Sequence, residues 1–166
     1  MARRVLLLCP GRGSYGNSSL GSLQLESPVL DWLDAFRESL GRPSIRELDA
    51  AQRFSAKKHV AGENASLLTF AATAADLEVL DPDKARVVAV AGNSMGWYTA
   101  LYASGAVELD EAARLIETMG AYQEGNVVGG QVLYPVSDEQ WRPSGVGWDL
   151  VREALEHPDV HLSIKL

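Results

Sequence analysis

Two short apolar runs, Val5–Cys9 and Val87–Ala91, each stop at a glycine turn, and they constrain this chain more than any other feature. A continuous, partly β-branched run of this length suits a strand covered on both faces, as in a parallel sheet. Parallel strands need a long crossover between them, usually helical. The sequence between the runs supplies it. Ser27 and Pro28 make a helix start, with Val29, Leu33, Phe36 and Leu40 at helical spacing and Gly41 as the stop. Ser44–Ala50 suggests a short helix, and Leu67 to Leu77 an alanine-rich one. A helix is expected from Gly96 or Trp97 to Ser104, and another after Asp110 with Ala112, Leu115, Ile116 and Met119 on one face. The expected fold class is therefore α/β, with residues 1–127 as the N-terminal part of a large three-layer parallel-sheet domain.

The texture changes after Gly125–Gly130. Gln131–Val136 reads as a strand and Asp149–Glu156 as a helix facing a sheet. His161–Leu166 alternates apolar and polar residues like a half-buried strand. This β-α-β order over residues 128–166 predicts the first part of a small ferredoxin-like subdomain. Because the chain ends on that strand, a continuation or a complementary C-terminal chain is expected to complete it.

Charge and cysteine content narrow the function classes. Lys and Arg number 15 against 22 Asp and Glu, a formal net charge of −7 over 166 residues. A nucleic-acid groove or an anionic membrane asks for the opposite balance. The lone Cys9 excludes an internal disulfide framework and a thiolate zinc cluster. The N-terminal apolar run is too short for a signal-peptide core or a membrane span, so a cytoplasmic protein is expected. The acidic groups Asp31, Asp34 and Glu38, and Asp81 and Asp83, have no histidine or cysteine companion, so no metal site is expected.

The chemical signal is Gly92-Asn93-Ser94-Met95-Gly96, directly after the second apolar run and before a helix. A serine on such a strand-to-helix turn presents its hydroxyl as a nucleophile, and small flanking residues permit the turn. The Met95 N–H and the helix N-terminus would face the charge that develops on an attacked carbonyl. Gly11, Gly13 and Gly16 match the spacing of a dinucleotide fingerprint, but Ser18–Gln24 is poor helix material for a phosphate site.

Pro10-Gly11-Arg12-Gly13-Ser14 and Gly92 to Leu101, followed by Ala103-Ser104-Gly105-Ala106-Val107, resemble the malonyl-CoA:acyl-carrier-protein transacylase family and its acyltransferase-domain relatives. The resemblance covers residues 4–125. It implies acyl transfer through an acyl-enzyme on Ser94, from a coenzyme A or phosphopantetheine thioester to a carrier thiol. An acyl carrier protein would be the partner, fatty-acid or polyketide biosynthesis the setting, and no tightly bound cofactor is implied. Hydrolysis of a thioester or ester, or a catalytically reduced scaffold subunit, are the alternatives.

The resemblance also implies backbone oxyanion donors at Met95 and Arg12, where Arg12 replaces a family glutamine. It places Asn64, Asn93, Trp97 and Met119 around the substrate. Met119 stands where the family has the arginine that pairs with a malonyl carboxylate, which implies an uncharged acyl group. The family's general base is a histidine in the second half of the full protein. The candidates here are His59 in a basic stretch expected to be solvated, His157 at a helix end, and His161 on the polar side of the last run. The base is expected on a continuation or a partner.

Overall fold

The structure is a computed structural model that describes all residues except Met1, Gln24, Leu25, Asn126–Val128, Gln131 and Ile164–Leu166, with the side chains of 123–125 also outside the description. The chain divides into two compact units, Met1–Val127 and Val128–Leu166.

In the first unit β1 (Arg3–Cys9) and β2 (Ala85–Gly92) pair in parallel, with a register irregularity between Val5 and Leu6. Between them run α1 (Pro28–Ser39), α2 (Ile45–Asp49), α3 (Ala56–His59) and α4 (Gly62–Glu78); α5 (Gly96–Ala103) and α6 (Leu109–Gly125) follow β2. Helix starts obey local chemistry. The Ser27 hydroxyl accepts from the Leu30 N–H at 3.1 Å with Pro28 in the first turn, and Ser44 accepts from Glu47 at 3.0 Å.

The three-layer expectation is corrected here. Helix makes up about 48% of the described residues, which hold only this two-stranded sheet. The core is built mainly by helices packing on helices. Leu30 and Leu33 of α1, Ile45 and Leu48 of α2, Leu67, Leu68 and Phe70 of α4, and Ile116 of α6 are fully buried. The sheet is not covered on both faces: Leu6 is 57% and Leu8 67% exposed. Apolar runs reported strand character correctly but not how many strands would join.

The ferredoxin-like expectation for 128–166 is corrected as well. The predicted strand over Gln131–Val136 is not formed, apart from Gln131, which lies outside the described residues. An isolated antiparallel bridge joins Ser137 to Pro143 instead. α7 (Gly145–Ala154) is capped by Ser144, which accepts from the Gly147 N–H at 3.2 Å. Leu150 on α7 and Leu155 after it stay largely exposed rather than facing a sheet. His161–Ser163 is not strand, and Ile164–Leu166 lies outside the described residues.

A buried ionic cluster ties the helices of the first unit. The Arg37 side chain is fully buried and donates to Pro43 O at 2.5 Å, Glu63 O at 2.9 Å and Asn64 Oδ1 at 2.5 Å. Glu117 of α6 approaches Arg42 Nε at 2.7 Å and Arg37 Nη1 at 3.7 Å, yet neither of its oxygens reaches hydrogen-bond geometry among the described residues. Close charge without hydrogen bonds does not replace lost hydration. Burial therefore pushes the Glu117 carboxyl above its ordinary value of 4.5, against the downward pull of Arg42 and Arg37.

A carboxyl raised in the folded state favours folding in its protonated form. Its contribution is present below the ordinary carboxylate range and is lost as pH rises through the raised value. Glu117→Gln removes that titration. Thermal melts of both proteins from pH 4 to 8 should show the variant gaining on the wild type as pH rises. A stability difference that stays constant with pH would contradict the assignment.

Candidate functional site

The Ser94 turn is fixed by steric exclusion at two glycines. A Cβ on Gly92 would lie 2.3 Å from the Gly96 carbonyl and 2.5 Å from Trp97 N. A Cβ on Gly96 would lie 2.1 Å from the Cys9 carbonyl oxygen and 2.7 Å from that of Pro10. These are backbone atoms, so no side-chain rotation relieves the overlap. Glycine at both positions lets β2 reverse within Gly92–Gly96 and lets α5 start against the end of β1.

Ser94 takes the strain that remains. Its φ is +54°, in the left-handed region that costs a non-glycine residue roughly 1–3 kcal/mol. The turn closes through Gly96 N–H to Asn93 O at 2.8 Å and Trp97 N–H to Ser94 O at 3.0 Å. Ser94 is exposed, and its hydroxyl has no hydrogen-bond partner among the described residues.

The loop after β1 meets this turn. The Asn93 N–H donates to Cys9 O at 3.0 Å. Gly11 is buried so tightly that a Cβ there would lie 3.0 Å from Asn93 O and 3.3 Å from Ser94 Cβ. Ser14 N–H closes a turn onto Gly11 O at 3.3 Å, and Gly13 supplies the positive φ of +94° at the third position. Among the described residues, neither the Arg12 nor the Met95 backbone N–H has an acceptor. Two free donors thus stand on two backbone segments that flank Ser94.

The remaining predicted residues divide between two places. Asn93 and Trp97 are exposed on the serine turn and the first turn of α5. Asn64 and Met119 belong to the crossing of α4 and α6, where a Cβ on Gly120 would sit 2.6 Å from Gly62 O. Asn64 is buried with both ends of its amide engaged, accepting from Arg37 and donating to Lys58 O at 2.8 Å. Met119 is half-buried.

His59 is not on a solvated face. It is 1% exposed, stacks on Phe54, places Nε2 3.0 Å from Leu48 O and accepts at Nδ1 from the Ser55 N–H at 2.9 Å. Those contacts make it a structural histidine. His157 and His161 belong to the second unit and are exposed.

Sequence reading missed the buried Tyr15–Asp49 pair behind the first loop. The Tyr15 hydroxyl donates to Asp49, whose carboxylate also accepts from the Gly21 N–H at 3.1 Å and the Leu23 N–H at 3.4 Å. Burial, with the neighbouring carboxylate second, holds the phenol well above its ordinary range. An aspartate at the end of a short amphipathic helix gives no sequence signal for such a role.

No protein-family model matches the chain, and no curated protein matches it in sequence. The assignment to coenzyme A chemistry and to fatty-acid or polyketide biosynthesis is corrected. It came from the resemblance, which implied a three-layer domain, and the described residues form a largely helical protein instead. Among those residues no helix is long and apolar enough to cross a membrane.

The glycine geometry predicts that Gly96→Ala displaces α5 from the end of β1. Overpacking costs typically 1–3 kcal/mol, and a backbone clash of this depth belongs at the top of that range or above. Thermal unfolding should drop by roughly 5 °C or more, given about 2–4 °C per kcal/mol at this chain length. Gly13→Ala meets no atom within 4 Å and faces only its positive φ, so its loss should be smaller. Equal melting of G96A and wild type would contradict the close approach.

Proposed function

We propose that Ser94 is the nucleophile of an acyl-transfer reaction that passes through an acyl-enzyme. One observation carries the reading: an exposed serine at positive φ on a strand-to-helix turn, with the Gly11–Arg12 loop packed against it. Ser94 Oγ attacks a thioester or ester carbonyl. The carbonyl oxygen becomes an oxyanion beside the free N–H groups of Arg12 and Met95 and the N-terminus of α5, and collapse of that intermediate expels the thiol or alcohol. A second nucleophile then takes the acyl group and frees the serine.

That acceptor is a carrier thiol in the favoured reading, with an acyl carrier protein as the partner and the cytoplasm as the setting. Water is the alternative acceptor, and the exposure of Ser94 admits it to the acyl-enzyme. A serine hydroxyl needs a base to be a strong nucleophile. His59, the histidine of the first unit, is held by Leu48 and Ser55, so the reading assigns the base to a group outside that unit's core.

A fluorophosphonate tests the nucleophile without needing the natural substrate. Long incubation of the whole chain should add one phosphonyl mass, which peptide mapping places on Ser94. Ser94→Ala should remove it while melting within a few degrees of the wild type. Modification of another serine, or equal modification of S94A, would overturn the proposal. Acyl-thioesters offered with either a pantetheine thiol or water alone then separate transfer from hydrolysis by product.

A further inference from the structure

We infer that Asp49 is a positioning residue for the proposed site: through Tyr15 it fixes the Gly11–Ser14 turn that carries the Arg12 donor beside Ser94. The inference rests on the Ser94 reading and adds a residue to it. Asp49 closes α2 and is 3% exposed, while Tyr15 is 4% exposed and packed in the main core. The carboxylate takes the Tyr15 hydroxyl and the backbone N–H groups of Gly21 and Leu23, and the Asp49 carbonyl also accepts from Gly21 N–H at 3.0 Å.

The consequence follows from chain connectivity. On one side the loop leaves β1 at Cys9, which is buried in the strand ladder and accepts from Asn93 N–H. On the other side it enters Tyr15, which Asp49 holds. Residues 10–14 are thereby pinned at both ends, and the Gly11–Ser14 turn has few conformations left to it. An oxyanion donor acts by being in place before charge develops, so freedom in this turn would weaken it specifically in the transition state. The protonated phenol is a reliable donor throughout, because its ionisation is displaced far upward.

A purely structural role would lower stability and leave the Ser94 reaction unchanged in the folded protein. Positioning changes the reaction itself. Asp49→Asn and Tyr15→Phe are therefore compared with the wild type by saturation kinetics of Ser94 phosphonylation, at a temperature where melts show each protein fully folded. Asp49→Asn should slow the limiting rate about tenfold or more with little change in the half-saturating concentration. Tyr15→Phe, which keeps the ring in the core, should slow it by a smaller factor in the same parameter.

Amide hydrogen exchange supplies a readout that does not require the reaction. Peptides covering 10–15 should exchange faster in Tyr15→Phe, with β2 and α4 unchanged. Unchanged limiting rates and unchanged exchange in Tyr15→Phe would overturn the inference, even where Asp49→Asn fails to fold. A wild type that is modified elsewhere than Ser94 defeats the Ser94 reading instead, and the exchange measurement still judges the tether.

Discussion

The contact between Gly96 and the Cys9 carbonyl sets the geometry of the first unit. It brings the start of α5 against the end of β1, which no other residue type permits, since a Cβ at position 96 would fall 2.1 Å from that oxygen. Once the helix starts there, the chain must reverse between Gly92 and Gly96, and Ser94 is left in the left-handed region. The same carbonyl accepts from Asn93, so one peptide group at the end of β1 meets both halves of the serine turn. The exposure of Ser94 is a consequence of this packing.

The helical layer provides the rigidity that so small a sheet lacks. A two-stranded sheet is marginal by itself. Here α5 packs on both strands, and α4 and α6 cross closely at Gly62 and Gly120. At the α1–α4–α6 junction Arg37 satisfies its donors on backbone carbonyls and Asn64, leaving Glu117 with ion-pair distances but poor geometry. The Tyr15–Asp49 pair does similar work at the other end of the connection, linking α2 to the loop beside Ser94.

Local chemistry was legible in the sequence. The Ser27 cap, Pro28 at the helix start, the apolar stripe of α1 and the glycine-bounded serine turn all follow from spacing and residue type. What depends on partners distant in sequence was not. An apolar run does not say how many strands will join it, so Val5–Cys9 suggested a sheet covered on both faces although Leu6 and Leu8 are exposed. The alternation at His161–Leu166 suggested a strand, but His161–Ser163 does not form one. His59 sits among lysines and reads as solvated; only the tertiary fold brings Leu48 O and Phe54 to it. Asn64 was placed at the site by resemblance, yet its amide belongs to the Arg37 cluster.

The central claim is that two backbone segments, the turn after β1 and the turn after β2, together receive the charge formed at Ser94. The most direct measurement is a crystal structure of the phosphonylated chain, because the phosphoryl oxygen stands where the oxyanion would. The account predicts that oxygen about 2.7–3.1 Å from both the Arg12 and the Met95 backbone nitrogens. A phosphoryl oxygen turned to solvent, or bonded to neither nitrogen, would contradict it.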